Sequence, residues 1–310
     1  MFPRNRLRAV APICLIVAVI ELCAGLADAC SVCGCGDPLA SAAEAYLKGG
    51  QLRLALDTEL LSARAATEEP GVEEQVTQYT LRPVVAYAPI DALAFVVQIP
   101  VVRKDWSQSG GDQAPTTANP TGLGDVDVAA RVFVYTNTRL AQMSRETLAL
   151  VAGSSLPTGN NSMQENGVRI DEHAQLGTGA FGPYAGVLYG FRRDPWNFFG
   201  SVAGRVRTRN SYGYKYGSAF LWSLRGDYRI LDWLSAGVSL DGRYAARDDL
   251  SGTLQTNTGG LVLAVVPGIK LRLYSELWLY GSVQIPVITH LFGDQSVGPV
   301  FTGSLQYTFG

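Results

Sequence analysis

From residue 50 to the last residue, apolar and polar side chains alternate with a period of two, in segments of about ten residues. Successive side chains of an extended strand point to opposite faces, so this pattern predicts strands lying between two unlike environments. "QLRLALDTEL" places Leu52, Leu54, Leu56 and Leu60 on one face and Arg53, Asp57 and Glu59 on the other. "YTLRPVVAY" sets Tyr79, Leu81, Pro83, Val85 and Tyr87 against Thr80, Arg82 and Ala86. "ALAFVVQIPVV" sets Leu93, Phe95, Val97, Ile99 and Val101 against Gln98, and "GDVDVAARVFVY" sets Val126, Val128, Ala130, Val132 and Val134 against Asp125, Asp127 and Arg131. Further strands are expected at 146–156, 176–191, 196–208, 217–229, 233–244, 258–272, 278–288 and 297–309, twelve in all. Globular strands average about 5–6 residues, whereas a tilted membrane strand needs about 9–11. Most of these have the longer measure.

The connections alternate too. Compact turns at 89–91, 192–195, 230–232 and 274–277, with a slightly longer one near 136–145, alternate with polar loops such as "RAATEEPGVEEQ", "KDWSQSGGDQAPTTANPT" and "PTGNNSMQENGVRIDEHAQ". Short turns on one rim, long loops on the other and an even strand count describe an outer-membrane barrel. Tyr87, Tyr135, Trp196, Tyr228, Trp233, Tyr274, Trp278 and Phe309 fall beside the short-turn rim, where an interfacial aromatic girdle belongs. The expected fold is therefore all-β: a transmembrane antiparallel up-and-down β-barrel of about twelve strands over 50–310, with a short N-terminal helix and both termini periplasmic. A soluble all-β protein is the alternative.

The N-terminus supports export. Arg4, Arg6 and Arg8 precede the apolar run "AVAPICLIVAVI", and Ala27-Asp28-Ala29 fits a cleavage site, so residues 1–29 read as a signal peptide. The run is too short for a membrane helix of about 20 residues; a retained anchor is the competing reading. Removing residues 1–29 takes away Arg4, Arg6, Arg8, Glu21 and Asp28 and leaves 22 basic against 25 acidic side chains. That balance gives no footprint for nucleic acid. The expected partners are outer-membrane lipid and a small-molecule solute.

With the apolar positions facing lipid, the interior is expected to carry Arg82, Gln98, Asp125, Asp127, Arg131, Arg205, Arg207, Arg225, Asp227, Asp241, Arg243, Lys270, Arg272, Gln284 and Gln306. An Arg on the lipid side at the midplane costs about 2–4 kcal/mol, which fixes the assignment of faces. Arg225 and Asp227 are expected to face Asp241 and Arg243. Such charges either fill a narrow barrel with salt bridges or line a polar channel, with a basic bias on strands seven to ten that suits anionic or polarised solutes. "VVQIPVV" and "SVQIPVI" each pair an inward Gln with an inward Pro, either as frayed strand ends or as a constriction lined by Gln98 and Gln284.

"TGLGDVDVAARVFVY" (121–135), "LVAGSSLPTGNN" (150–161) and "LGTGAFGPYAGVLY" (176–189) resemble the outer-membrane barrel family labelled as components of a phenol meta-cleavage pathway. The resemblance runs over roughly 120–310 and implies a barrel that admits small, including aromatic, solutes. It carries no residue-level mechanism.

An enzyme is not expected. Barrel hydrolase chemistry needs a His beside a Ser nucleophile; only His173 and His290 are present, neither in a His-x-Ser, and His173 in "RIDEHAQ" is expected to be a solvated loop residue.

Cys30, Cys33 and Cys35 open the mature chain, and no cysteine follows them. One disulfide with a spare thiol suits an oxidising compartment; three thiolates suit Cu(I) or Zn(II); an acylated Cys30 is a third reading. No His follows the Cys-x-x-Cys, which argues against c-type haem. Asp37, Pro38 and the Gly49–Gly50 stop frame a short amphipathic helix within the periplasmic segment 30–49, with Leu39, Ala42, Ala43, Tyr46 and Leu47 on one stripe. Two functions remain open: a passive channel for small solutes, and a structural or docking barrel whose cysteine segment binds a metal or a periplasmic protein.

Overall fold

The computed structural model describes residues 46–67, 71–110, 115–165 and 167–310; the expected signal peptide, cysteines and most of the expected helix lie outside the described residues, while Tyr46 and Leu47, placed on its stripe, are not helical. Twelve staves follow one another: β1 (Leu52–Ala66), β2 (Val72–Ile90), β3 in two segments (Leu93–Gln98 and Val101–Gly110), β4 (Asp127–Arg139), β5 (Ser144–Ser155), β6 (Gly182–Arg193), β7 (Trp196–Arg205), β8 (Ala219–Leu231), β9 (Leu234–Ala245), β10 (Gly260–Tyr274), β11 (Leu277–Leu291) and β12 (Val300–Phe309). Each is antiparallel to the next, and β12 returns to β1 in register from Leu52↔Phe309 to Leu60↔Phe301. The ring is closed, so no stave is left as an edge and every stave finds ladder partners on both sides.

Alternation does what the sequence predicts. Along β2, Glu74, Val76, Gln78, Thr80, Arg82, Val84, Ala86 and Ala88 are inward and Tyr79, Leu81, Pro83, Val85 and Tyr87 outward. The outer surface is a continuous apolar belt, in which even mid-stave Leu224 is 63% exposed. A surface of this extent is stable only against hydrocarbon. At the short-turn rim Trp196 packs edge-on against Tyr228 (4.7 Å between centroids) and Tyr307 against Phe309 (4.5 Å).

Trp278 departs from the expected girdle. It lies opposite Arg272 and Gln306 in the ladders, and the Lys270 ammonium and Arg272 guanidinium each sit 5.0 Å from its ring. Its parity is that of Gln284, so its nearness to a turn says nothing about the side it faces.

The staves also outrun the expected strands at the long-loop rim. β2 begins at Val72 and β3 reaches Gly110, so much of "RAATEEPGVEEQ" and "KDWSQSGG" is strand. Beyond the hydrocarbon both faces meet polar surroundings, and the alternation that reveals a strand fades although the ladder continues. Conversely, residues 176–181, expected in the sixth strand, precede Gly182 and belong to a loop.

Inside, the short-turn half of β1–β7 is packed with small apolar side chains. Leu47, 2% exposed, sits among Val84, Ala86, Ala88, Ala94 and Val96, next to Phe133. Tyr46 stands edge-on to Phe133 at 5.1 Å, and Arg145 lies 4.6 Å over its ring. The residues just before β1 are therefore tucked into the mouth. Gly49 N–H donates to Asp91 (2.6 Å) and the Gln51 amide to the Gly310 carbonyl (3.0 Å), fixing the entry to β1 and the exit from β12 at that rim.

Candidate functional site

The lumen has two unlike walls. On β7–β10 and just beyond β7, Arg205, Arg207, Arg225, Arg243, Lys270 and Arg272 face inward, against Asp227 and Asp241. Several cations lie on rings: Arg205 over Tyr184 (5.1 Å), Arg207 over Tyr216 (5.5 Å) and Arg225 over Tyr280 (4.6 Å). The other wall carries Asp57, Glu59 and Arg82, with Arg82 3.8 Å from Glu59, and Ser304 donates to Asp57 at 2.6 Å.

Placement of the expected residues differs in detail. Arg82, Gln98, Arg131 and Arg205 are buried on inward positions. Asp127 accepts from the Tyr184 hydroxyl at 2.5 Å and lies 3.5 Å from Arg205. Gln284 and Gln306 fall opposite Val300 and Trp278. The cross-stave contacts expected among Arg225, Asp227, Asp241 and Arg243 are shifted: Arg225 binds Asp227 on its own stave (2.9 Å), and Asp241 accepts from Ser223 opposite it (2.6 Å). Asp125 leaves the lumen lining for a loop junction.

At that junction the three glycine-rich phrases meet. Asp125 accepts from Gly159 N–H (3.0 Å), Thr178 N–H (2.8 Å) and the Thr178 hydroxyl (2.6 Å), and Thr158 donates to the Gly124 carbonyl (3.2 Å). A Cβ on Gly159 would meet Gly177 Cα at 2.6 Å, so the crossing requires glycine at the contact. The knot aims loop 156–181 over the lumen as a lid.

The lid's underside is apolar. Ile170 and Ala174 are buried with Ala63 of β1, Val76 of β2, Trp106 of β3 and Ala118, and Met163 packs beside them. Polar ties hold it down. Lys104 Nζ donates to the carbonyls of His173 (2.5 Å) and Gln175 (2.6 Å), while the Gln175 side chain donates to the Ile170 and Met163 carbonyls. Asn210 donates to Glu172 and Tyr216 to the Glu172 carbonyl (3.1 Å), bringing in loop 206–218. The lid was not legible as such, because its contacts are between segments distant in sequence.

His173 is the hub of this assembly, contrary to the solvated position expected for it. Its Nδ1 lies 3.2 Å from Asp171 and 3.6 Å from Glu74; its Nε2 lies 3.4 Å from Asp248 and 3.3 Å from the Tyr214 hydroxyl. Tyr214 in turn donates to Asp248 at 2.6 Å. Burial drives the imidazole toward neutrality, but the Tyr214, Asp171, Asp248 and Glu74 oxygens prevail and hold its pKa well above the ordinary value. Desolvation opposes ionisation of Asp171 and Asp248, yet His173 prevails there too, bringing Asp171 down to about 2 and Asp248 below its usual value. The cage favours positive charge at its centre. The partners of the His173 ring are the carboxylates of Glu74, Asp171 and Asp248 and the Tyr214 hydroxyl.

No family model matches the sequence, and no curated protein does. Among solved structures, the chain is similar to an outer membrane channel from Pseudomonas putida F1, at 14% identity and a TM-score of 0.63, covering 88% of this chain and 100% of that one. A looser likeness is to the translocator domain of the autotransporter NalP from Neisseria meningitidis, at 12% identity and a TM-score of 0.46, covering 87% and 91%. Another is to the CymD monoaromatic hydrocarbon channel, at 9% identity and a TM-score of 0.36, covering 84% and 88%. These likenesses are of fold.

Proposed function

We propose that this barrel is a bacterial outer-membrane channel for small solutes, anionic ones favoured, with both termini in the periplasm. The observation that carries the reading is the cationic inner wall of β7–β10, set behind an outer surface that only lipid can cover. An anion crossing from the long-loop rim meets Arg207, Arg205, Arg243 and Arg225 before Lys270 and Arg272, and Arg207, Arg205, Arg225, Lys270 and Arg272 each lie against a ring or a carboxylate. Binding along such a ladder is multi-site and weak enough to allow exit. Aromatic solutes fit the rings that alternate with these cations and the resemblance to the phenol-pathway barrels. The protein does no chemistry on its solute.

The cysteine segment 30–49 belongs to the periplasmic side in this reading. Cys30, Cys33 and Cys35 there form a disulfide or a Cu(I) or Zn(II) thiolate site available to a periplasmic partner.

One observation favours the second reading, a docking barrel: the lid covers one mouth while Tyr46 and Leu47 occupy the other. Planar-bilayer recording separates the two. Discrete steps with anion-selective reversal potentials support the channel; a silent membrane at every voltage rejects it in favour of docking.

A further inference from the structure

We infer that Glu74, Asp171 and His173 form a divalent-cation site, of zinc-like preference, that clamps the lid to the barrel wall. The inference is independent of what the channel carries. Three donor atoms, Glu74 Oε2, Asp171 Oδ1 and His173 Nδ1, lie within 4.8 Å of one another. The two carboxylate oxygens stand 3.6 and 3.2 Å from the one nitrogen. An imidazole nitrogen carries a single hydrogen and can satisfy one acceptor, at about 2.7–3.2 Å. Donors sharing a tetrahedral ion at about 2.0–2.2 Å are spaced by about 3.3–3.6 Å; the Glu74 oxygen, 3.6 Å from the nitrogen, is at that spacing, and the Asp171 oxygen at 3.2 Å is within a small side-chain shift of it.

Glu74 supplies a second, separate observation. Its side chain is 8% exposed, and Oε1 accepts from Trp106 Nε1. Oε2 accepts no hydrogen bond from the described residues, and the nearest cationic atom, His173 Nδ1, is beyond hydrogen-bond reach. A carboxylate set this deep needs a cation beside it, a place that the charged His173 ring or a metal ion can fill. Oε2 points at the gap shared with Asp171 and His173.

The surroundings suit a ligating imidazole. Its second nitrogen faces Asp248 at 3.4 Å and the Tyr214 hydroxyl at 3.3 Å, the outer carboxylate arrangement that orients metal-bound histidines. Neighbouring charges do not fill the gap: Lys104 is engaged by the His173 and Gln175 carbonyls, and Arg169 pairs with Glu172 at 2.7 Å. Nitrogen with two carboxylate oxygens is a donor set for Zn(II) or a similar borderline ion, with a fourth position left for water. Because the imidazole must be neutral to ligate, the ion displaces the Nδ1 proton, which leaves to solvent. One ligand is on β2 and two are on the lid, so the ion joins the lid to the wall.

The test uses the full chain with Cys30, Cys33 and Cys35 replaced by Ser, so that thiolates do not count, stripped with chelator and titrated with zinc chloride by calorimetry. The expected result is one saturable equivalent accompanied by proton release, with affinity lowered at least tenfold in Glu74→Gln and in His173→Gln. Asp248→Asn is expected to weaken it by about 10–100-fold through the outer contact. Heat-modifiable gel mobility verifies that each variant retains its barrel. As a second readout, zinc should slow trypsin cleavage at Arg169 in the parent and not in His173→Gln. Absence of saturable uptake by the parent, or equal uptake by parent, Glu74→Gln and His173→Gln, overturns the site whether or not the barrel conducts.

Discussion

The ammonium group of Lys104, on an inward position of β3, donates to the carbonyl oxygen of His173 across 2.5 Å and to that of Gln175 across 2.6 Å. One side chain on the wall thus satisfies two backbone acceptors of the loop that joins β5 to β6. Replacing it with Met leaves both carbonyls without their donor, at about 1–3 kcal/mol for the group left unpaired. Lys104→Met is expected to raise unitary conductance and to speed proteolysis within residues 156–181 while the barrel stays folded. Unchanged conductance together with unchanged proteolysis would refute the lid.

The facing of β8 gives a paired test. Leu224 points to lipid at 63% exposure and its neighbour Ser223 points inward to Asp241. Leu224→Arg should cost about 2–4 kcal/mol in unfolding from lipid vesicles, and Ser223→Arg much less. Denaturant titration of the two variants reads the difference; equal losses would mean that the faces are misassigned.

At the glycine knot, Gly177→Ala places a methyl group 2.5 Å from the Gly159 backbone. Relief of that overlap is expected to cost about 1–3 kcal/mol. The damage should be confined to the lid, visible as new protease-sensitive sites in residues 156–181 with barrel mobility on gels unaltered.

The basic wall predicts selectivity. Arg243→Gln with Arg272→Gln removes two of the inward cations of β9 and β10 and should lower the anion-to-cation permeability ratio by about twofold or more. The reversal potential in a potassium chloride gradient measures it. A ratio that does not move would remove this wall from the permeation path.

How much of this could be read beforehand depended on range. Leu52, Leu54 and Leu56 against Arg53, Asp57 and Glu59 declare a two-faced strand from local pattern alone, and repetition of that pattern gives the number of staves. The parity that puts Gln284 inside also puts Trp278 inside, because alternation and not nearness to a turn decides which way a side chain faces. The lid is another matter. Residues 156–181 have no period, and the meeting of Ile170 and Ala174 with Ala63, Val76 and Trp106 joins segments between 64 and 111 residues apart. The faint local hints are an inward Trp106 in the polar stretch "KDWSQSGG", and apolar Met163 and Ile170 in another polar stretch. The cage around His173 draws on four separate segments, and nothing in "RIDEHAQ" names the other three.

The seam between the first and last staves sets an order of events. Leu52 through Leu60 zip onto Phe301 through Phe309, and Gln51 reaches the carbonyl of the final residue. Until that seam closes the sheet has two raw margins, and any chaperone escorting the polypeptide must shield both. Closure of the ring waits on β12, and without it β1 and β11 would both keep an open edge.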